Sequence, residues 1–230
     1  MPIFRIPDRH LFPDPTLAEP SGLLGVGGDL DAGRVVLAYR LGIFPWYSED
    51  QPILWWSPDP RTILEVDELH IPRSLAKRIR RNEYTITIDR AFEQVIHTCA
   101  AKPRPDQKGT WITSDMETAY VELHRLGYAH SVEAWYEGEL VGGLYGMCVG
   151  DLFCGESMFA HRTDASKVAF VYFVRHLANW GVPLVDCQVY TSHLERFGAK
   201  PIRRVEYLRR IGPLVQRQDR RGPWSFTENS

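Results

Sequence analysis

Long apolar runs are absent from this 230-residue chain. Nowhere do about 18 apolar residues follow one another, so no transmembrane helix is predicted. The opening residues, MPIFRIPDRH, also lack the basic stretch and the apolar run of about 7 to 15 residues that a secretory signal needs. We therefore expect a cytoplasmic protein with no membrane partner.

Cysteine is scarce, and the common catalytic motifs are missing. The four cysteines stand far apart, without a CxxC pair or a histidine at metal-ligand spacing, at Cys99, Cys148, Cys154 and Cys187. Neither a disulfide framework nor a zinc site is predicted, and small buried side chains are the expected role. The eight histidines form no HExxH pair, and there is no GxSxG elbow. Covalent catalysis is not indicated, although Cys154 and Cys187 stay open as nucleophiles.

A net positive charge is also lacking, since the formal charge is -2 and the pI is about 6.4. Contact with nucleic acid would need a local basic patch. One such patch has five basic residues within nine positions and no acid among them: Arg73, Lys77, Arg78, Arg80 and Arg81. Either an exposed solvated face or a phosphate-binding surface explains it. A second group of arginines between 203 and 221 is diluted by acids and is the weaker candidate.

The order of predicted elements is mixed, which places the chain in the α+β class. Turns and glycines dominate the first 62 residues, where Asp31 caps a helix that Gly42 ends. The stretch GLLGVGGDL lacks the GK[ST] ending of a phosphate loop and is interpreted as turn chemistry. We predict a small N-terminal domain over 1–62 and a larger domain over 63–230. The larger domain is predicted to contain helices over 73–81, 90–100, 114–126 and 165–180, a strand over 84–89, an antiparallel meander over 131–159, a buried strand over 183–189 and a short helix ending at 198.

Two strands place polar side chains among apolar ones. In VDCQV, alternation puts Asp186 and Gln188 on one face of a buried strand. In FCGESMF, Glu156 and Met158 share a face in the same way. A satisfied core network, or an edge glutamate in solvent, would also explain these residues. The alternative is a site where a charged subsite adjoins an apolar one.

The chain resembles the leucyl/phenylalanyl-tRNA-protein transferase family. The resemblance rests on GLLGVGGDL, YRLGIFPWY, ILWWSPDPR, GTWIT, AHSVEAW, LVGGLYG, LFCGESMF, ASK and DCQV, and it extends from about residue 13 to 204. It implies a larger domain with the GNAT-like acetyltransferase fold. Acetyltransferases of that kind cradle coenzyme A with a glycine-rich loop, and here the corresponding AHRTDA has no glycine, so acyl-CoA is a poor donor candidate.

The resemblance also implies the substrate contacts. It implies an apolar pocket for the Leu or Phe side chain, built from Leu144, Phe153, Met158, Phe170, Phe173 and Val185. It places Trp46 and Trp111 against the donor, where an indole stacks on the terminal adenosine, and leaves Trp55 and Trp56 to packing. Thr191 stands where some members carry asparagine, and Leu144 where some carry methionine, so selectivity is expected to differ in detail.

The implied reaction is aminolysis of an aminoacyl ester, with Asp186, Gln188 and Glu156 in the site. Its partners would be aminoacyl-tRNA carrying Leu or Phe, with Met as a further candidate, and proteins with N-terminal Arg or Lys that the transfer marks for degradation. The basic patch would contact the tRNA. No cofactor or metal is expected because the donor is already activated, and a monomer is expected. Two alternatives stay open: another tRNA-dependent ligase of similar fold, and a non-catalytic RNA-binding module.

Overall fold

The computed structural model describes residues 3–102 and 111–226, and these residues form two β-sheets. The smaller sheet has the order β1-β2-β4-β3, with strands β1 (Phe4–Ile6), β2 (Leu23–Gly27), β3 (Phe44–Pro45) and β4 (Leu54–Trp56). The larger sheet has the order β11-β5-β10-β9-β8-β7-β6, with strands β5 (Arg61–Glu65), β6 (Thr85–Ile88), β7 (Ala129–Tyr136), β8 (Glu139–Val149), β9 (Leu152–Ala160), β10 (Leu184–Gln188) and β11 (Lys200–Ile202). The α+β class and the small and large units are thereby confirmed. The division between 62 and 63 stays a prediction, and β5 already begins at Arg61.

Helices cover the larger sheet and connect the two units. They are α1 (Ala32–Arg40), α2 (Arg73–Arg80), α3 (Phe92–Ala101), α4 (Ser114–Arg125), α5 (Ala165–Asn179), α6 (Ser192–Glu195) and α7 (Arg204–Val215). None of the helices described is long and apolar enough to cross a membrane.

Local chemistry explains several helix ends. Asp31 caps α1 by accepting a hydrogen bond from the Gly33 amide, and Gly42 follows that helix with a φ of 73°. Ser114 and Glu117 have the spacing of a capping box, which would make Ser114 the N-cap of the predicted helix. In the structure the N-cap of α4 is Thr113, whose hydroxyl accepts from the Met116 amide, and Ser114 is the first residue of the helix.

The meander has the predicted order, and its two turns are built from residues with positive φ. Glu137 and Gly138 join β7 to β8 with φ values of 51° and 85°, and Gly150 joins β8 to β9 with a φ of 57°. Such turns match the right-handed twist of the strands that they connect. They fix the register in which β9 lies beside β8.

The core lies on both faces of the larger sheet. Along β8, Tyr145 and Met147 belong to the cluster that includes α1, α3, α4 and the small sheet, whereas Leu144 and Cys148 belong to the cluster that includes α5. This alternation is that of a strand buried on both sides. The small unit packs on the first of these faces, which brings α1 close to the larger sheet.

Candidate functional site

A cavity opens where β9 and β10 separate. The two strands pair in parallel over only three positions, the last being Cys154 with Asp186, whereas β9 continues to Ala160. The gap between the strands holds a cavity of about 350 Å³. Its wall includes Phe44, Pro45, Trp46, Trp111, Leu144, Tyr145, Phe153, Gly155, Glu156, Ser157, Met158, Phe170, Val185, Cys187, Gln188, Val189, Thr191, His193 and Leu194. Both structural units therefore contribute to one site.

Much of the cavity wall is apolar. Five of the six residues assigned to the side-chain pocket line it: Leu144, Phe153, Met158, Phe170 and Val185. The sixth, Phe173, does not reach it. It is fully buried behind Phe153, with ring centroids 4.6 Å apart, and supports the wall from inside the core.

The cavity wall includes the two tryptophans that the resemblance placed against the donor. Trp46 comes from the small unit and Trp111 from the residues before α4. Trp56 supports Trp46: its indole N–H donates to the Trp46 carbonyl at 2.6 Å, and the two rings lie 5.6 Å apart. Trp55 is fully buried and donates to the Gly27 carbonyl at 2.8 Å. Trp55 and Trp56 thus pack the small unit, in agreement with the prediction.

Glu156 lies in the cavity wall at the centre of a hydrogen-bond cluster. Its Oε1 accepts from the Tyr39 hydroxyl at 2.6 Å and from the side-chain amide of Gln188 at 2.7 Å. The Tyr120 hydroxyl lies 3.4 Å from Oε2 and also bonds to the Tyr39 hydroxyl. Burial raises the pKa of Glu156 to about 7, although the bonds from Tyr39 and Gln188 act in the opposite direction. The carboxyl group therefore changes charge near neutral pH.

Asp186 does not line the cavity, and this departs from the face shared with Gln188 that alternation predicted. It is fully buried, and its two carboxylate oxygens accept from Arg61 at 2.8 and 2.6 Å. The Tyr207 hydroxyl donates to Oδ2 at 2.8 Å. The Arg61 guanidinium lies between the Phe44 and Tyr207 rings, 4.7 and 4.6 Å from their centroids. Burial disfavours its charge, but the Asp186 carboxylate raises the pKa of Arg61 above its usual value. Asp186 is the acid of a buried ion pair.

A β-bulge explains why Asp186 and Gln188 diverge. The register of β10 against β5 shifts between these two residues, and Gln188 has a φ of 60°. Asp186 Oδ1 accepts from the backbone N–H of Gln188 at 2.9 Å and so holds this turn of the backbone. As a result Gln188 faces Glu156 across the strand gap, and Asp186 fixes Gln188 from behind.

Sequence reasoning missed four residues that hold these groups: Tyr39, Tyr120, Arg61 and Tyr207. The tyrosines lie on helices among apolar residues, where nothing separates a core tyrosine from one that bonds a carboxylate. Arg61 did carry a signal, because an arginine that opens the apolar strand RTILE needs a buried acidic partner.

The described residues contain no metal-ligand cluster and no activated thiol. No three His, Cys, Asp or Glu side chains among residues 3–102 and 111–226 are close enough to hold a metal ion. All four cysteines are free and buried, as predicted. Burial raises the pKa of both Cys154 and Cys187, so these thiols stay protonated and are poor nucleophiles.

The basic patch lies on α2, and its members differ. Arg78 is half-buried and bonded to Glu83 at 2.8 Å and to Asp164 at 3.2 Å, so it ties the helix to its neighbours. Arg81 is exposed and lies 3.5 Å from Glu83. Three others are exposed and have no ion pair with a described acid: Arg73, Lys77 and Arg80. The charge open to a partner therefore comes mainly from these three.

The second arginine group is partly structural. Arg204 is buried and donates to the carbonyls of Ser57 and Ala18 at 2.7 and 3.3 Å. Arg220 bonds Asp151 at 2.9 Å.

Thr191, which lines the cavity, caps α6 by accepting from the Leu194 amide at 3.2 Å.

Comparison with known proteins gives matches along most of the chain. The family model described as leucyl/phenylalanyl-tRNA protein transferase matches residues 63–212, and the model of that family's N-terminal domain matches residues 28–59. A leucyl/phenylalanyl-tRNA-protein transferase of Anaeromyxobacter sp. (strain Fw109-5) is 59% identical over 226 residues, which cover 98% of this chain and 96% of the relative. One of Myxococcus xanthus (strain DK1622) is 53% identical over 227 residues, covering 98% and 97%.

Solved structures give weaker matches. L-PGS from Bacillus licheniformis has a TM-score of 0.41 and 15% identity, over 74% of this chain and 56% of the other. A GCN5-related N-acetyltransferase from Kribbella flavida has a TM-score of 0.40 and 10% identity, over 72% and 58%. Likeness at this level does not define a shared function.

Proposed function

We propose that this chain, which belongs to the leucyl/phenylalanyl-tRNA protein transferase family, transfers Leu or Phe from aminoacyl-tRNA to the α-amino group of proteins that begin with Arg or Lys. One observation carries the proposal beyond family membership. One cavity is lined by an apolar pocket, by two tryptophans and by the Glu156–Gln188 pair. It can therefore bind an apolar side chain, a nucleobase and a cationic amine side by side.

The donor end fits the apolar part of the cavity wall. Leu144, Phe153, Met158, Phe170 and Val185 would enclose the Leu or Phe side chain, since apolar walls accept a branched chain and a flat ring alike. Trp46 and Trp111 would hold the terminal adenosine, and stacking on an aromatic side chain contributes about 1 to 3 kcal/mol per base. The exposed cations of α2 would contact tRNA phosphates farther from the ester.

The acceptor would bind on the polar side. Glu156, when ionised, attracts the cationic N-terminal residue or the α-ammonium group, and Gln188 bonds either the amine or the ester carbonyl. The attacking α-amine has an ordinary pKa of about 7.7 to 8.0, so a large share is neutral near pH 8 without a strong base. The amine nitrogen forms the new amide bond, the ester C–O bond breaks, and the ribose oxygen takes up a proton.

Asp186 has an indirect role in this scheme. Its oxygens accept from Arg61, from Tyr207 and from the backbone N–H of Gln188, so it positions Gln188 and does not touch the substrate. Much of the rate enhancement would come from holding amine and ester together, an effect that reaches about 7 to 11 kcal/mol in well-oriented systems. The scheme needs no cofactor or metal because the ester is already activated. The enzyme would act as a monomer in the cytoplasm. The acceptor protein that receives Leu or Phe would thereby be marked for degradation.

A transfer assay with purified protein tests the proposal. We expect Leu and Phe to pass from charged tRNA to a peptide that begins with Arg or Lys, and not to a matched peptide that begins with Asp; charged Met-tRNA serves as a third donor. Gln188→Ala should reduce transfer strongly with little change in tRNA affinity. A protein that binds tRNA but transfers nothing would be an RNA-binding module, and transfer to a different amine acceptor would identify another ligase. Either result would overturn the proposal.

A further inference from the structure

Tyr39 of the small unit reaches the carboxylate of the larger sheet. It lies on α1 and is 1% exposed, and its hydroxyl donates to Glu156 Oε1 at 2.6 Å. Tyr120 of α4 is fully buried, and its hydroxyl bonds to the Tyr39 hydroxyl and lies 3.4 Å from Glu156 Oε2. The Glu156 carboxylate is therefore hydrogen-bonded to two buried phenols that do not line the cavity.

The hydrogens in this cluster have few alternative arrangements. Burial raises the pKa of both phenols well above the usual value, so each keeps one proton to donate. Tyr39 gives its proton to Glu156, and Tyr120 gives its proton to the Tyr39 oxygen or, across 3.4 Å, to Glu156 Oε2. The Gln188 amide adds a third donor at 2.7 Å. Three donors around two carboxylate oxygens favour the ionised carboxylate.

We propose that Tyr39, backed by Tyr120, is a positioning residue that keeps Glu156 ionised and aimed at the cationic acceptor. This rests on the proposed function, in which Glu156 binds the acceptor cation. Since Tyr39 belongs to the small unit, its hydroxyl gives that unit a part in acceptor binding in addition to the cavity wall formed by Phe44, Pro45 and Trp46.

The other groups that face Glu156 set the direction of the effect. From β10, Asp186 disfavours its charge and the Gln188 amide favours it, and from β5 Arg61 favours it. Burial opposes the charge most strongly. Removing the Tyr39 hydroxyl takes away a bond to the ionised form, so the pKa of Glu156 rises and less of the carboxylate is charged at neutral pH.

The experiment uses Tyr39→Phe and has two measurements. In the first, carboxyl-labelled glutamate is followed by NMR as the pH is raised, with Glu156→Gln identifying the Glu156 signal. We expect the Glu156 titration to move upward by about one pH unit, the scale set by one charge-assisted hydrogen bond. In the second, the KM for an Arg-started peptide is measured from pH 6 to 8.5, and the pH below which it rises should move upward by the same amount.

The controls separate positioning from structure. Tyr207→Phe removes a phenol that bonds Asp186, so it should leave the Glu156 titration in place. Tyr39→Phe combined with Glu156→Gln should show no pH shift beyond that of Glu156→Gln alone, and the acceptor amine titrates identically in all variants. An unchanged Glu156 titration in Tyr39→Phe, confirmed in a Tyr39→Phe/Tyr120→Phe variant, would overturn the proposal. A shifted titration in a protein that transfers nothing would support the effect of Tyr39 on the ionisation of Glu156, but it would refute the proposed function and with it the role of Glu156 in acceptor binding.

Discussion

Replacement of Asp186 by Asn decides whether this residue acts on the substrate or holds the site together. The amide has the same shape as the carboxyl group but no charge. Arg61 would then keep a guanidinium that is 1% exposed and enclosed by two aromatic rings, with no carboxylate beside it.

The cost follows from the burial of that pair. Removing one partner of a buried ion pair destabilises a protein by about 3 to 5 kcal/mol, because an uncompensated charge stays inside. The total stability of a domain is only about 5 to 15 kcal/mol. We therefore expect Asp186→Asn to lower the free energy of unfolding by about 3 kcal/mol or more. We also expect it to weaken transfer, because the single amide oxygen cannot accept all the bonds that Arg61, Tyr207 and the Gln188 backbone N–H donate to the two carboxylate oxygens, so the bulge is held less firmly.

Urea unfolding followed by tryptophan fluorescence measures the first effect. Asp67→Asn is a matched control, since it makes the same chemical change at an exposed position and should stay within about 0.5 kcal/mol of the wild type. Tyr207→Phe removes one bond to the same carboxylate and should fall between the two. If Asp186→Asn abolishes transfer while its unfolding curve overlays that of the wild type, Asp186 is a catalytic residue and the positioning role is wrong.

Three further changes have defined outcomes. Trp46→Ala should weaken aminoacyl-tRNA binding by about 1 to 3 kcal/mol in a filter-binding assay, and equal affinity would remove this indole from the donor site. A glutamate carboxyl has a usual pKa of 4.5, and that of Glu156 becomes about 7 on folding, so the free energy of unfolding of the wild type falls as the pH rises through this window. The Glu156→Gln variant lacks this dependence. Between pH 4 and pH 8 it should therefore gain stability relative to the wild type, on the order of 3 kcal/mol. Arg73, Lys77 and Arg80 are the exposed cations of α2. Reversing their charge should reduce the slope of log tRNA affinity against log salt concentration by about 0.9 per lost phosphate contact, whereas reversing exposed charges on α7 should not change this slope.

Much of the larger domain could be predicted from sequence because its signals are local. Glycines with positive φ end α1 and α5, and two turns with the residues that hairpins require define the meander. The small sheet could not be predicted in this way. Its strands are two to five residues long, too short for a period-two pattern to separate them from turns.

The site shows the same limit more sharply. Alternation placed Asp186 and Gln188 together, and one bulge with a left-handed Gln188 was enough to separate them. The partners Tyr39 and Arg61 lie 117 and 125 residues away from the acids that they bond, so only the folded chain brings them together. Phe173 was assigned to the pocket from the family resemblance, and the structure places it behind Phe153, in the core and away from the cavity wall.

A crystal structure with a non-hydrolysable phenylalanyl-adenosine analogue is the most direct test of the account. We expect the phenyl ring between Leu144, Phe153 and Met158, the adenine against Trp46 or Trp111, and the reacting carbonyl within hydrogen-bond reach of Gln188. An analogue bound outside the gap between β9 and β10, or one whose carbonyl lies far from both Gln188 and Glu156, would contradict it.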